Sequence, residues 1–235
     1  MSEDRIYSVP LSHVGDFEFD DAVADVFPDM IRRSVPGYST MLSMIGQCAH
    51  QFSVAGTNLY DLGCSLGAGT VLLDQHAARD CRVIAVDNSE AMVSRLQERQ
   101  LNRTDVILQD IRETKIENAS VVVLNLTLQF LPPAERTDLI RHIADGMNSG
   151  GALLLSEKVC FDGPEQQGLM TQLHHEFKRS HGYSDLEIAQ KRTAIENRLI
   201  PETLEAHVAR LEQVGFQTVT PWFQCFTFAS ILALR

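Results

Sequence analysis

Apolar positions along the chain follow two rhythms. Short, mainly apolar runs at 59–62, 82–86, 106–108, 121–124 and 152–155 read as five successive strands, the first of them buried. Between and around them apolar residues recur at helical spacing. Phe19, Val23, Val26, Phe27, Met30 and Ile31 mark a helix ahead of the first strand, in which Pro28 either lies near the start or bends the axis. Met41, Ile45, Cys48, Ala49 and Phe52 form the stripe of a helix over 38–52, after the turn signal Val35-Pro36-Gly37-Tyr38. Helices are predicted over 70–78 and over 90–100, the second capped by Ser89. Leu139, Ile140, Ile143 and Met147 predict another, stopped by Asn148-Ser149-Gly150-Gly151. Polar residues then dominate 162–200, which reads as two or three helices outside the core. Pro201 is expected to open a last helix ending at Gly215, and 216–219 and 226–234 read as a closing pair of strands.

The segment from Asn58 to Gly69 organises this pattern. Asp61 stands near the end of the first strand, and Gly63, Gly67 and Gly69 let the chain turn sharply into a helix. Strand, glycine turn and helix N-terminus form the ligand crevice of an open α/β sheet. A dinucleotide site wants G-x-G-x-x-G, but Cys64 and Ser65 follow Gly63, so the glycine that makes room for a pyrophosphate is missing. This makes an NAD-dependent dehydrogenase the least favoured reading. An acid just before the turn suits a ligand with an ammonium group and no phosphate, as in S-adenosylmethionine. Asp87, ending the second strand, suits ribose hydroxyls; Asp110, after the third, suits an adenine amine. Each alone also fits a cap or a turn, but three acids at successive strand ends are a stronger signal together. Asn125 ends the fourth strand, where it either contacts the reacting end of the ligand or caps the strand. Tyr38 is as compatible with packing as with ligand contact.

Composition narrows the rest. With 235 residues and 44% hydrophobic content the chain fits one domain with an ample core. Net charge −11 opposes tight direct binding to nucleic acid. The longest apolar run, 121–131, is interrupted by Asn125, Thr127 and Gln129 and is too short to cross a membrane. The charged start Met1-Ser2-Glu3-Asp4-Arg5 lacks a signal-peptide core. The five cysteines lie singly, arguing against a disulfide framework or zinc site and for a reducing, cytoplasmic setting. His174 and His175 are adjacent and point to different sides of a helix, so no metal pair is expected. Arg192 offers a bidentate fork for a carboxylate, against the alternative of a solvated helix arginine.

The element order is the plan of class I S-adenosylmethionine-dependent methyltransferases. That is an α/β, Rossmann-like fold with a mostly parallel sheet, a C-terminal antiparallel hairpin and a helical insertion. Residues 1–235 would form a single domain, with 1–37 a lid segment and 162–200 the insertion. Several stretches also resemble one family closely: Val26-Phe27-Pro28-Asp29-Met30-Ile31, Arg33-Ser34-Val35-Pro36-Gly37-Tyr38, Tyr60-Asp61-Leu62-Gly63-Cys64-Ser65-Leu66-Gly67, Leu128-Gln129-Phe130-Leu131 and Trp222-Phe223-Gln224-Cys225-Phe226. They are similar to carboxy-S-adenosyl-L-methionine synthases over nearly the whole chain.

The resemblance implies a homodimer that uses S-adenosylmethionine as substrate, without a metal, and carboxylates it with prephenate, releasing phenylpyruvate. A separate tRNA carboxymethyltransferase would then carry the carboxymethyl group to the wobble uridine. It implies ligand contacts at Tyr38, Gly63, Cys64, Ser65, Asp87, Asn88, Asp110, Ile111, Asn125 and Arg192, with Arg192 holding the carboxylate at the reacting centre. The residues themselves leave two alternatives open: an ordinary methyltransferase, and a non-catalytic S-adenosylmethionine-binding partner of the tRNA-modifying enzyme.

Overall fold

The apolar runs become strands of one sheet; four are interior, whereas 106–108 falls in the edge strand, where Ile107 and Leu108 are exposed because no further strand pairs beyond it. The strands are β1 (Asn58–Leu62), β2 (Arg82–Asp87), β3 (Thr104–Leu108), β4 (Ala119–Asn125), β5 (Met147–Cys160), β6 (Glu202–Thr203), β7 (Thr218–Cys225) and β8 (Phe228–Leu234). Their order is β3-β2-β1-β4-β5-β8-β7, with β6 beside β5 off that path. β1 to β6 pair in parallel, whereas β8 runs antiparallel to both β5 and β7. The computed structural model describes residues 2–235.

Side chains on a strand alternate between faces, and this sorts the core into two layers. Val121 and Val123 of β4 join Leu59 and Val83 against α2 (Tyr38–Phe52) and α3 (Ala68–His76), through Ile45, Ala49 and Leu73. Val122 and Leu124 join Leu62 and Val86 against α5 (Pro133–Gly146) and α8 (Leu204–Val214), through Ile140, Ile143 and Leu211. Both faces of β4 are therefore covered, which is why its run shows no polar alternation.

The other α-helices among the described residues are α1 (Asp21–Ser34), α4 (Glu90–Gln97), α6 (Pro164–Ser180) and α7 (Asp185–Ile195). Asp20 caps α1, Ser89 caps α4, and Ser184 with Glu187 forms a capping box on α7. The 162–200 region thus holds two helices.

Several boundaries differ from the sequence pattern. Met147 continues the spacing of α5 but begins β5, because it pairs with Ala119 of β4. The helix ends at Gly146, where a Cβ would lie 2.3 Å from the Ile116 carbonyl oxygen. Residues 148–151 lie within β5 as an irregular stretch, with Gly150 at φ +77°. Pro201 does not open a helix. Glu202 and Thr203 first pair with Val159 and Cys160, and Thr203 then caps α8 by accepting the Ala206 N–H at 3.1 Å. α3 starts earlier than residue 70, at Ala68, and ends at His76; α4 ends at Gln97 rather than residue 100. β8 starts at Phe228, since Phe226 takes the left-handed conformation (φ +52°) in the hairpin turn.

Arg136 on α5 is fully buried. It donates to the carbonyls of Gln129, Leu131 and Ile200 at 2.7 to 3.2 Å and pairs with Glu202 at 2.5 Å. Arg210 holds the other Glu202 oxygen at 2.6 Å. One guanidinium therefore ties the turn after β4 to the chain leaving the insertion. Truncating one partner of a buried pair leaves polar groups unpaired and costs about 3–5 kcal/mol. Arg136→Leu is accordingly expected to lower unfolding stability by about that amount in urea titration.

Candidate functional site

A cavity of about 570 Å³ opens over the carboxyl ends of β1, β2 and β4. Tyr38, Gly63, Cys64, Ser65, Asp87, Asn88, Asp110, Ile111, Asn125 and Arg192 all line it, as does Asp61. Residues picked out one at a time along the sequence thus share one space. The cavity lies where strand order reverses between β1 and β4, the place at which an open α/β sheet leaves a crevice.

The turn after β1 is held from two sides. The Gly63 and Cys64 N–H groups both donate to the Val86 carbonyl, at 2.8 and 3.0 Å. Gly63 has φ +82°, and a Cβ there would lie 2.3 Å from Thr127 Oγ1, so both backbone conformation and space require glycine. Ser65 is also left-handed (φ +50°), and its N–H donates to Asp87 Oδ2 at 2.8 Å. Asp87 Oδ1 accepts the Ser89 N–H at 2.9 Å. Asp87 thereby locks the turn to the start of α4 while lining the cavity. Burial pushes its carboxyl up from the ordinary aspartate range, against these backbone bonds.

Asp61 is the most buried of the acids that line the cavity, at 3% exposure. Thr70 Oγ1 donates to it at 2.6 Å. Burial pushes its pKa up to about 6 despite that bond, and the Asp87 charge adds to the rise. Asp110 differs from both. Arg112 forks its carboxylate at 2.9 and 2.5 Å, and also pairs with Glu135 at 2.6 Å. Those bonds hold Asp110 below the usual carboxylate range. Ile111 beside it is buried and apolar. Asn125 ends β4 with its Oδ1 buried and unpartnered among the described residues, as expected of an acceptor reserved for a ligand. Tyr38 starts α2 after Gly37, whose left-handed conformation and contact with Phe223 exclude a side chain.

The cover is built jointly by the N-terminal segment and the insertion. Phe19 packs edge-on against Phe27 and Phe130, with centroids at 6.0 and 5.4 Å, and all three line the cavity. Ser89 Oγ donates to the Phe19 carbonyl at 2.5 Å. The Phe17 N–H donates to the Ala194 carbonyl on α7 at 2.9 Å. The Arg33 guanidinium on α1 lies 3.9 Å from the Tyr183 ring centroid.

Arg192 reaches the cavity from α7 with a largely exposed side chain, only loosely held by Glu196 at 3.9 Å. Lys158 on β5, His174 and Lys178 on α6, Lys191 on α7 and Arg198 beyond it also line the cavity, and no local sequence pattern marks them as site residues. His174 is buried and donates from Nε2 to the Ser34 carbonyl at 2.7 Å. Burial and then Lys178 push it down to about 3, so it is neutral near pH 7. The i, i+4 spacing of His174 and Lys178 shows only that they share a helix face. Among the described residues no group of three or more His, Cys, Asp or Glu side chains is placed to hold a metal ion. No described helix is long and apolar enough to cross a membrane.

Comparison with known proteins agrees with this geometry. A family model described as a methyltransferase domain matches residues 59–151. A Trichlorobacter lovleyi protein named carboxy-S-adenosyl-L-methionine synthase is 52% identical, covering 99% of this chain and 98% of its own. One of the same name from Escherichia fergusonii is 50% identical, covering 99% and 96%. Among solved structures, magnesium protoporphyrin IX methyltransferase from Synechocystis PCC 6803, with bound SAH, superposes at TM-score 0.61 with 18% identity, over 88% of this chain and 87% of its own. At that identity the likeness shows the shared class I methyltransferase fold.

A cationic ligand paired with Asp61 stabilises its carboxylate, so binding below pH 6 must displace a proton. S-adenosylmethionine affinity, read by calorimetry from pH 7 down to pH 5, is expected to be flat at first. It then weakens, approaching about tenfold per pH unit. Asp61→Asn is expected to bind more weakly and to flatten that slope.

Proposed function

The chain belongs to the carboxy-S-adenosyl-L-methionine synthase family, and from that premise we propose that it converts S-adenosyl-L-methionine and prephenate to carboxy-S-adenosyl-L-methionine, with phenylpyruvate as co-product. The observation that carries this reading is that a cation, Arg192, shares one cavity with the strand-end acids. An ordinary methyl transfer needs no cation at the reacting carbon, whereas a carboxylated product is stabilised by one.

In this reading Asp87 and Asn88 hold the ribose, Asp110 and Ile111 the adenine, and Asp61 the ammonium end. Asn125 uses its free Oδ1 near the methionine part. The sulfonium acidifies its methyl protons. Prephenate loses CO₂ and its ring hydroxide as the ring becomes aromatic. The hydroxide takes a methyl proton to become water, and the resulting carbon nucleophile attacks the CO₂. Atoms and charge balance with no outside base, which accords with His174 being tied to the Ser34 carbonyl. Arg192 steadies the departing carboxylate and then the one formed. The aromatic cover from Phe19, Phe27 and Phe130 keeps out the water that would quench the nucleophile.

The same reading includes a cytoplasmic homodimer whose product passes to a tRNA carboxymethyltransferase for 5-oxyacetyluridine formation. The net charge of −11 supports leaving tRNA contact to that partner.

Arg192→Ala tests the assignment. It is expected to leave S-adenosylmethionine affinity within about threefold while lowering turnover with prephenate by at least about 100-fold, the loss of a charge-assisted contact at the reacting centre. Turnover at the wild-type rate would refute the role.

A further inference from the structure

The cavity has two electrical ends. Its acids come from the ends of β1, β2 and the loop after β3. The lining residues from β5 and the insertion include Lys158, Lys178, Lys191, Arg192 and Arg198, and no carboxylate. A cationic ligand accounts for the first end. The second is a concentration of positive charge inside a protein whose net charge is −11, and a single carboxylate at Arg192 does not account for it.

The lysines are not equivalent. Lys191 has partners: it donates to Ser34 Oγ at 3.1 Å and lies 3.8 Å from Asp4. Lys158 and Lys178 have none. Among the described residues neither ammonium has a carboxylate within salt-bridge distance or a hydrogen-bond acceptor, although both are partly buried. Their backbones are firmly placed. The Lys158 N–H donates to Gln129 Oε1 at 2.8 Å, and Lys158 pairs across the sheet with Phe228. His174 stacks edge-on against Phe228 at 5.1 Å, and Lys178 follows His174 by one helical turn. Two elements thus converge through Phe228 to bring two unpartnered cations to one wall.

We propose that Lys158 and Lys178 form a second anion seat, which binds the non-reacting carboxylate of a dicarboxylic co-substrate whose reacting carboxylate faces Arg192. This rests on the functional reading above and extends it. Prephenate carries two carboxylates. The one on the ring leaves as CO₂, and the one on the oxopropanoate arm survives in phenylpyruvate. A seat for the surviving group orients the ring so that CO₂ is released beside the methyl group. Burial and neighbouring positive charge disfavour the charged form of both ammonium groups. Burial, with Lys191 and Lys158 nearby, pushes Lys178 down to about 7. Burial and Arg192 likewise push Lys158 down. An arriving carboxylate reverses both effects.

Because the seat grips a group unchanged in the reaction, its loss is expected in KM rather than kcat. Lys158→Met and Lys178→Met keep the aliphatic stem and remove a charge that has no partner, so the fold loses no ion pair. Each is expected to raise KM for prephenate about 10- to 100-fold, with kcat and S-adenosylmethionine affinity within about threefold. Lys115→Met, at an exposed lysine paired with Glu117, serves as control and is expected to match wild type. Unchanged KM in both variants overturns the proposal. So does a parallel loss of S-adenosylmethionine affinity, which would mean that the lysines support the whole cavity. Failure of the wild-type protein to make the carboxylated product would instead overturn the functional reading. In that case prephenate is titrated calorimetrically into protein saturated with S-adenosylhomocysteine. Binding that both variants lose upholds the anion seat, and its absence in wild type overturns it.

Discussion

Burial of carboxylates at the ends of parallel strands is the constraint around which the site is arranged. Asp61 and Asp87 stand close enough that each charge opposes the other, in a place from which most water is removed. Thr70 and the N–H groups of Ser65 and Ser89 meet part of that cost. In the proposed reading a cationic ligand meets the rest. The glycine turn follows from the same need. Gly63 lets the backbone pass beneath Thr127 and brings Ser65 onto Asp87, so the turn and the acid form one unit. This ties the ligand's charge to the sheet's topology, because only the reversal between β1 and β4 leaves room above the strand ends.

The N-terminal segment and the insertion supply what the bare sheet lacks. They bring aromatic rings that close the cavity and cations that oppose the acids across it. They also bind each other: Gln190 on α7 accepts the Leu11 N–H at 2.7 Å and donates to the Tyr7 and Val9 carbonyls at 2.9 Å. The His174 contact with Ser34 is a further tie between α6 and α1. Arg136 fixes the far end of the insertion to the turn after β4. The cover is therefore coupled to the site floor at several points, and any opening of it has to break polar contacts as well as apolar ones.

Much of this was legible in the sequence because it is local. Buried parallel strands show as unbroken apolar runs, and their acids fall directly at the ends of those runs. The Ser89 cap and the 38–52 helix are likewise written in neighbouring residues. Where structure departs from local pattern, pairing at a distance is the reason. Met147 fits a helical stripe by spacing, yet β4 draws it into the sheet. Pro201 has the look of a helix start, yet pairing of Glu202 and Thr203 with β5 delays the helix. Lys158 and Lys178 escaped notice for the same reason: they lie on different elements and meet only through Phe228. Asp110 lines the cavity as its position after β3 suggests, and its carboxylate is in addition forked by Arg112, two residues on.

This methyltransferase fold carboxylates its methyl donor instead of transferring the methyl. The most direct measurement is the intact mass of the small molecule released by denaturing the protein after incubation with S-adenosylmethionine and prephenate. S-adenosylmethionine increased by the mass of CO₂ is the expected species. Recovery of S-adenosylmethionine alone, or of S-adenosylhomocysteine, would contradict that chemistry.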